Sequence, residues 1–170
     1  MTRGGLGAAA AVPVLAVLVL LAGCAQVEIR PPQGPLDFDL AGRIAARYGQ
    51  ESFTGNVSWR HARGGDEMLI STPFGQGVAR IVREGEAVQL TTADGKEHRA
   101  NDVEDLTERV LGFRVPMAGL ADVVQGRSSA DLEGRGWKFE VQERDPQGRP
   151  ARLRATYQGI DLRLAVTQWH

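Results

Sequence analysis

Apolar and polar residues alternate along most of the chain from Phe38 onward. In the first run Phe38, Leu40 and Ile44 share one parity, and Asp39 and Arg43 have the other. Such alternation is typical of a β-strand with one buried face, because successive side chains in a strand point to opposite sides. Later runs repeat the pattern with Phe53, Val57 and Trp59; Met68 and Ile70; Ala79 and Ile81; and Val88 and Leu90. The pattern predicts a succession of short strands that share one apolar face.

Turn residues separate these runs. Gly64-Gly65, Glu84-Gly85 and Asp94-Gly95 stand where hairpin turns need a positive φ. Alternation resumes near the end of the chain, with Trp137, Phe139 and Val141; Leu153, Ala155 and Tyr157; and Ile160, Leu162, Leu164 and Val166. We therefore expect roughly nine or ten strands, and the short turns between them favour antiparallel pairing.

The middle of the chain changes to a helical period. The apolar positions there are Val103, Leu106, Val110 and Phe113. Asn101 is the predicted N-cap, with Glu104 as its capping-box partner, and Gly112 is a plausible stop. A second short helix is predicted from Pro116 to about Gly126. The fold class is therefore mostly β (α+β), with a sheet that curls around its apolar face as a barrel or half-barrel and short helices over the opening.

Composition narrows the function classes. The chain has 170 residues, which suits one compact domain, and 20 basic residues stand against 21 acidic ones. This balance lacks the basic excess of a nucleic-acid-binding protein, so no nucleic-acid partner is expected. The single cysteine, Cys24, excludes an internal disulfide framework, and three scattered histidines give no zinc-ligand spacing. No metal or other cofactor is expected.

The first residues have the pattern of a lipoprotein signal peptide. Arg3 precedes an apolar run of 14 residues, 8–21, which is too short for a comfortable membrane span. Leu21-Ala22-Gly23-Cys24 then matches a bacterial lipobox, which predicts lipidation of Cys24; an unpaired cysteine near an ordinary cleavage site is the alternative. We accordingly divide the chain into a signal peptide (1–23), a lipidated N-terminus with a Pro-rich tether (24–36) and a folded domain (37–170).

The sequence contains no recognisable catalytic motif. It has no phosphate-binding loop, no dinucleotide fingerprint and no nucleophile elbow. Ser71 and His61 belong to no local pattern that suggests a catalytic triad. The acidic residues of the first predicted helix, Asp102, Glu104, Asp105 and Glu108, could be imagined as a metal site, but a solvated helix face is the favoured interpretation. The protein is therefore not expected to be an enzyme.

An ordered series of segments resembles the outer-membrane lipoprotein receptor family, LolB. The series begins with Ala41-Gly42-Arg43-Ile44-Ala45-Ala46, continues with Phe53-Thr54-Gly55-Asn56-Val57-Ser58-Trp59 and Leu69-Ile70-Ser71-Thr72-Pro73-Phe74-Gly75, and ends with Gly136-Trp137 and Ile160-Asp161-Leu162-Arg163-Leu164. No single motif is specific; the lipobox together with this order carries the resemblance. The helix that often precedes the first strand in the family has no counterpart, because a Pro-rich tether stands there.

The resemblance implies an unclosed antiparallel β-barrel with helices in its mouth and an apolar cavity inside. Its relatives accept triacylated lipoproteins from a soluble periplasmic carrier, LolA, and release them into the outer membrane without a nucleotide. For this chain the resemblance thus implies a monomer, anchored in the outer membrane and facing the periplasm, with three partners: LolA, triacylated lipoproteins and outer-membrane phospholipid.

The alternating apolar residues are the candidates for the lining of the acyl-chain cavity. They are Ile44, Phe53, Val57, Trp59, Met68, Ile70, Val88, Leu90, Phe113, Leu120, Trp137, Phe139, Leu153, Tyr157, Leu162 and Leu164. Each of them could equally fill a packed core, because parity in the sequence does not distinguish a filled barrel from a hollow one.

The segment around Phe74 is the candidate membrane-contacting loop. Pro73 and Gly75 flank Phe74 between two predicted strands, which favours a loop. A large apolar side chain at a loop tip is costly to expose without a partner. In the family, the position after this proline carries an exposed hydrophobic residue that touches the membrane, and Phe74 matches that position. The alternative is that Phe74 packs into the core.

Two other function classes remain open at this point. The chain could be a lipid-anchored structural or assembly module of the outer membrane with a filled core. It could also be a lipocalin-like carrier of a small lipid, or an enzyme built on such a barrel.

Overall fold

The computed structural model describes residues 29–170, and within them the chain forms nine strands and three helices. The strands are β1 (Phe38–Tyr48), β2 (Glu51–Ala62), β3 (Gly65–Ser71), β4 (Gly77–Glu84), β5 (Ala87–Thr92), β6 (Glu97–Ala100), β7 (Lys138–Arg144), β8 (Pro150–Tyr157) and β9 (Ile160–Trp169). The helices are α1 (Val103–Leu111), α2 (Met117–Val124) and α3 (Ala130–Gly134).

All nine strands belong to one antiparallel sheet, in the order β6-β5-β4-β3-β2-β1-β9-β8-β7. Strand β9 returns to pair with β1, so the two ends of the folded chain meet in the middle of the sheet. Strands β6 and β7 form the two edges, and the sheet is not closed into a ring. The predicted fold class, mostly β with an unclosed antiparallel sheet and short helices, is confirmed.

The sheet has two distinct ends. The turns β1–β2 (residues 49–50), β3–β4 (72–76) and β8–β9 (158–159) lie at one end, which we call the Phe74 end. The turns β2–β3 (63–64) and β4–β5 (85–86) lie at the other end, which we call the Asp66 end. Antiparallel pairing fixes this arrangement, because successive turns alternate between the two ends.

The core lies on the concave face of the sheet, where the predicted alternation places the apolar residues. Leu40, Trp59 and Leu90 are buried there together with Leu106 of α1 and Met117 of α2. The helices therefore fill part of the space that the curled sheet encloses.

Helix α1 begins one residue later than the sequence pattern suggests. Its N-cap is Asp102, whose carboxylate accepts a hydrogen bond of 2.7 Å from the Asp105 N–H, so the prediction of Asn101 was wrong. Asn and Asp both cap helices well. In the structure the Asp102 carboxylate is the group that accepts a hydrogen bond from a backbone N–H of the first helical turn. Gly112 ends the helix with φ +83°, as predicted.

Helix α3 has no counterpart in the sequence prediction. It has five residues and only Leu132 is buried, so no apolar period marks it. Before β1, residues 29–36 form no helix or strand, and Pro32 is buried beside Gly65. No helix in the described part of the chain has both the length and the hydropathy that a membrane span requires.

Candidate functional site

The predicted lining residues fall into two groups. Nine of them border open space in the structure: Ile44, Phe53, Ile70, Phe113, Leu120, Phe139, Leu153, Leu162 and Leu164. The other seven border neither of the two cavities described next: Val57, Trp59, Met68, Val88, Leu90, Trp137 and Tyr157. The concave face is thus partly filled and partly open, and the lining role of the second group stays a prediction.

The first open space, the inner cavity, lies between α2 and the second half of the sheet. Its volume is about 60 Å³. Leu120 and Val123 of α2 form one wall, and Phe139, Leu153 and Leu162 of β7, β8 and β9 are part of the other. Because most of these side chains are aliphatic or aromatic, the wall can offer hydrocarbon a dry surface.

The second open space, the mouth cavity, lies at the Phe74 end and holds about 230 Å³. Phe53, Ile70 and Phe113 line it, and its rim includes Tyr48. The Tyr48 and Phe113 rings lie 6.4 Å apart between centroids, and 47% of the Tyr48 surface is exposed. The sequence prediction included Phe53, Ile70 and Phe113 but missed Tyr48, although its parity in β1 places it on the same face.

A glycine creates room for one wall of the mouth cavity. Gly55 follows Phe53 on the same face of β2, and a Cβ at Gly55 would stand 2.6 Å from Phe53 Cζ and 2.2 Å from the carbonyl oxygen of Ser71. Real side chains do not approach that closely, so the Phe53 ring occupies the space that a side chain at Gly55 would need.

The middle of the concave face is filled by α2. Met117 and Val124 of this helix belong to the same buried cluster as Trp59, Met68 and Leu90 of the sheet. A separate smaller cluster surrounds Trp137, whose ring stacks on Tyr157 at 5.0 Å and on Phe139 at 6.1 Å between centroids. Helix α2 also forms one wall of the inner cavity and so limits its volume to about 60 Å³.

The Asp66 end of the concave face is closed by a buried polar cluster. Asp66 is fully buried and accepts hydrogen bonds from Trp59 Nε1 at 2.8 Å, His61 Nδ1 at 2.6 Å and Arg83 Nε at 2.7 Å. Burial raises the pKa of Asp66, but the hydrogen bonds from His61 and Trp59 and the charge of Arg83 outweigh it and leave the pKa below its ordinary value. The sequence prediction did not include this cluster, although the strand alternation carries a signal of it, because His61, Asp66 and Arg83 all stand at inward positions.

The β3–β4 loop projects Phe74 into solvent. The Phe74 side chain is 94% exposed. Backbone hydrogen bonds from Thr72 N–H to Gln76 O (2.8 Å) and from Gly75 N–H to Thr72 O (2.9 Å) fix the loop, and Gly75 has φ +87°. Asn56 Nδ2 of β2 donates to Thr72 O at 3.1 Å, which ties the loop to the sheet. The alternative that Phe74 packs into the core does not occur in this structure.

The acidic residues of α1 form ion pairs with two arginines. Arg114 pairs with Glu104 at 3.3 Å, Asp105 at 2.7 Å and Glu108 at 3.1 Å. Arg135, which follows α3, also pairs with Glu104. The hydrogen bond from Arg135 lowers the pKa of Glu104. Among the described residues no group of His, Cys, Asp and Glu has the arrangement of a metal site.

Cys24, the predicted lipidation site, and the predicted signal peptide lie outside the described residues. The first described residues, 29 and 30, follow this cysteine closely in the chain. Arg30 N–H donates to Glu84 Oε2 at 3.1 Å, so the predicted tether contacts the Asp66 end of the sheet.

The sequence of this chain is similar to that of one family of known proteins. Residues 36–169 match the family model described as "Outer membrane lipoprotein LolB". The chain is 36% identical to the outer-membrane lipoprotein LolB of Thiobacillus denitrificans, across 91% of this chain and 96% of that protein. It is 32% identical to the protein of the same name from Chromobacterium violaceum, across 92% and 96%. The protein of that name from Nitrosomonas europaea is 31% identical, across 92% and 90%.

Proposed function

The chain belongs to the outer-membrane lipoprotein LolB family, and from this membership we propose that it receives lipoproteins at the outer membrane and holds their acyl chains on the concave face of its sheet. The observation that carries the proposal is the apolar interior that α2 fills only in part, with one cavity on the side of β7–β9 and another at the Phe74 end.

The interior supports this function through the hydrophobic effect. Each methylene removed from water contributes about 0.8 kcal/mol, so three acyl chains in water carry a penalty of tens of kcal/mol. An aliphatic and aromatic wall removes most of that penalty without any covalent step. The proposed function is therefore transfer by binding, and we propose no enzymatic activity for the chain.

Cargo binding requires α2 to leave the position that it occupies here. Helix α2 has eight residues and is flanked by Pro116 at its start and by Gly126, with φ +79°, just after its end. These segments can change direction while the sheet keeps its hydrogen bonds. We propose that acyl chains replace Met117 and Val124 against Trp59, Met68 and Leu90, and that the predicted lining residues now buried in the core then contact lipid.

The membrane side of the function rests on Phe74 and Cys24. Lipidation of Cys24 anchors the mature chain in the outer membrane, where it faces the periplasm, and stable anchoring takes about two acyl chains. Phe74 is exposed at the loop tip and enters the interfacial region of the bilayer, with Pro73 and Gly75 shaping the loop. The mouth cavity lies at this same end, so cargo leaves the interior close to the membrane.

The hand-over needs no energy source if each partner binds the acyl chains more tightly than the one before. The carrier LolA delivers a triacylated lipoprotein, this chain binds it more tightly as a monomer, and the bilayer binds it more tightly still. The order of affinities alone then sets the direction of transfer.

The experiment that tests this function follows a labelled triacylated lipoprotein from LolA to the lipidated chain and then to liposomes. Phe74→Glu should accept cargo normally but insert it into liposomes at least tenfold more slowly, whereas Phe74→Leu should match the wild type. Equal insertion by Phe74→Glu would remove Phe74 from the mechanism. A wild-type chain that takes no cargo from the carrier would overturn the proposed function.

A fluorescence assay separates this function from a structural module with a filled core. An apolar dye should gain fluorescence with the wild-type chain and lose it when triacylated peptide is added. No dye uptake, combined with no cargo uptake, would favour the structural module.

A further inference from the structure

The outer face of the sheet carries a groove beside the Phe74 loop. It lies across β1, β2, β3 and β9, next to the register shift between Ala41 and Gly42, and has a volume of about 400 Å³. Its polar lining consists of Arg43, Asn56, Ser58, Ser71 and Thr167, and Leu69, 44% exposed, lies at its edge. Among the described residues, no acidic side chain lines the groove.

The groove is in register with the base of the Phe74 loop. Arg43 of β1 pairs with Asn56 of β2, and Asn56 pairs with Ser71 of β3, the residue directly before Thr72. Neighbouring strands are spaced at about 4.8 Å, so the Arg43 backbone lies about 10 Å from the start of the loop. The side chain of Asn56 bonds Thr72 O, which couples the groove to the loop.

The polar groups of the groove have unused hydrogen-bonding capacity. Within residues 29–170, no carboxylate or other partner engages the exposed Arg43 side chain, and the hydroxyls of Ser58 and Ser71 have no hydrogen-bond partner. A guanidinium flanked by hydroxyl donors suits the oxygens of a phosphate.

The charge around the groove is positive. Next to Arg43 on the same outer face, Arg47, Arg154 and Arg163 all pair with the single carboxylate of Asp161, at 3.6, 2.9 and 3.1 Å. Hydrogen bonds from Arg154 and Arg163 lower the pKa of Asp161 to about 2, so it is one full negative charge at neutral pH. Glu140 of β7, which pairs with Arg154 across the strands, adds a second carboxylate. Two carboxylates against four guanidiniums still leave this surface with a net positive charge, which favours an anionic partner.

We propose that this groove binds the phosphate of an anionic phospholipid headgroup while Phe74 enters the bilayer. The inference rests on the proposed membrane contact of Phe74 and adds a headgroup site to it. A membrane is the occupant, rather than an acidic protein, because the groove shares the Phe74 end with two exposed apolar side chains, Leu69 and Phe74. Arg43 then sets the depth and orientation at which the Phe74 loop meets the lipid.

The test measures loop immersion in the intact lipidated chain. With Cys24 carrying lipid, Gln76→Cys introduces the only free thiol, in the loop next to Phe74, for an environment-sensitive fluorophore. The chain is reconstituted into vesicles of phosphatidylethanolamine with or without 20% phosphatidylglycerol. The fluorescence gives the ratio of immersed to water-exposed loop.

Arg43→Gln should lower this ratio about fivefold in vesicles that contain phosphatidylglycerol, since one arginine near an anionic surface contributes about 1 kcal/mol. In phosphatidylethanolamine alone, or at high salt, it should match the parent chain. The matched control is Arg63→Gln, because Arg63 is also exposed and without a partner in the described chain but lies at the Asp66 end. It should leave the ratio unchanged.

Three results would overturn the headgroup site. Arg43→Gln could leave immersion unchanged while Phe74→Glu abolishes it, which would keep the proposed function and reject this inference. Arg63→Gln could lower immersion as much as Arg43→Gln, which would attribute the effect to the net charge of the protein rather than to the groove. Arg43→Gln could also slow cargo uptake from LolA without changing immersion, which would assign the groove to an acidic protein. If Phe74→Glu itself left immersion unchanged, the membrane role of the loop would fail as well.

Discussion

Trp59 and Asp66 are joined on the concave face by a hydrogen bond of 2.8 Å from the indole Nε1 to Oδ1. The indole is part of the apolar core, and the carboxylate belongs to the polar cluster that closes the Asp66 end. The concave face thus has a buried polar cluster at one end, whereas the other end carries the mouth cavity and the Phe74 loop. Under the proposed function we therefore expect acyl chains to enter away from the Asp66 end.

We expect Asp66→Ala to destabilise the fold strongly. The substitution leaves Arg83 as a charge without its partner and removes the acceptor of Trp59 and His61. Breaking a buried ion pair by removing one partner costs about 3–5 kcal/mol. The free energy of unfolding from urea titration should fall by that amount. Asp94→Ala, at an exposed turn, should lose far less stability because solvent screens its ion pair with Lys96. An equal loss in both variants would show that Asp66 has no special role.

The lowered pKa of Asp66 predicts a loss of stability in acid. The unfolded chain protonates this carboxyl near its ordinary value of 3.8, and the folded chain does so only at lower pH. The unfolded state therefore binds the extra proton first, so stability falls as the pH drops from about 3.8 through the folded pKa. Urea midpoints measured across this range should decline less steeply for Asp66→Asn than for the wild type. Parallel slopes would contradict the assignment.

Gly55→Ala should disturb the wall of the mouth cavity. The new Cβ would meet the Ser71 carbonyl and the Phe53 ring, so either β3 or the ring must move. Overpacking of this kind costs about 1–3 kcal/mol. The matched control is Gly64→Ala, since a Cβ at Gly64 has no atom within 4 Å. It should change the free energy of unfolding by less than about 0.5 kcal/mol. Equal stability of the two variants would show that β3 and Phe53 adjust freely.

The alternation of side chains predicted the strands and their inward faces well, because a half-buried sheet imposes period two on the sequence. It could not predict how far the interior is filled. Trp59 packs against α2 and Phe53 borders a cavity, yet both have the same parity in β2. The difference comes from where α2 lies, and a tertiary contact between distant segments leaves no trace in the local period.

The other residues of the site show the same difference between what a local pattern predicts and what a tertiary contact decides. Exposure of Phe74 was expected because proline and glycine flank it. The ion pair between Glu104 and Arg135 was not expected. The sequence pattern suggests only a local capping box with Asn101, whereas Arg135 lies 31 residues away. Likewise, the groove at Arg43 lies beside a register shift between Ala41 and Gly42. A glycine inside a strand is a local sign of such a shift, but the groove itself is formed by four strands and has no local pattern.

The Glu104–Arg135 pair links α1, which precedes α2 in the chain, to the segment after α3, which follows α2. Glu104 is largely buried, with 16% of its side chain exposed, and a second arginine, Arg114, also pairs with it. If α2 must move for cargo to enter, the elements that flank it must loosen, and this pair restrains them. We infer that these ion pairs of Glu104 help to hold the helices in the position that fills the interior.

We therefore expect Glu104→Gln to open the interior more readily. The substitution removes the charge that both arginines share while keeping the size of the side chain. Uptake of an apolar dye and acceptance of cargo from the carrier should both become about threefold faster, an estimate that corresponds to a pair worth somewhat under 1 kcal/mol. High salt should bring the wild type closer to the variant, because screening weakens the same interaction. Asp131→Asn is the control, since Asp131 also pairs with Arg135 but is 78% exposed, and it should leave both rates unchanged. Slower uptake in Glu104→Gln would mean that the pair supports the receptive conformation rather than the filled one.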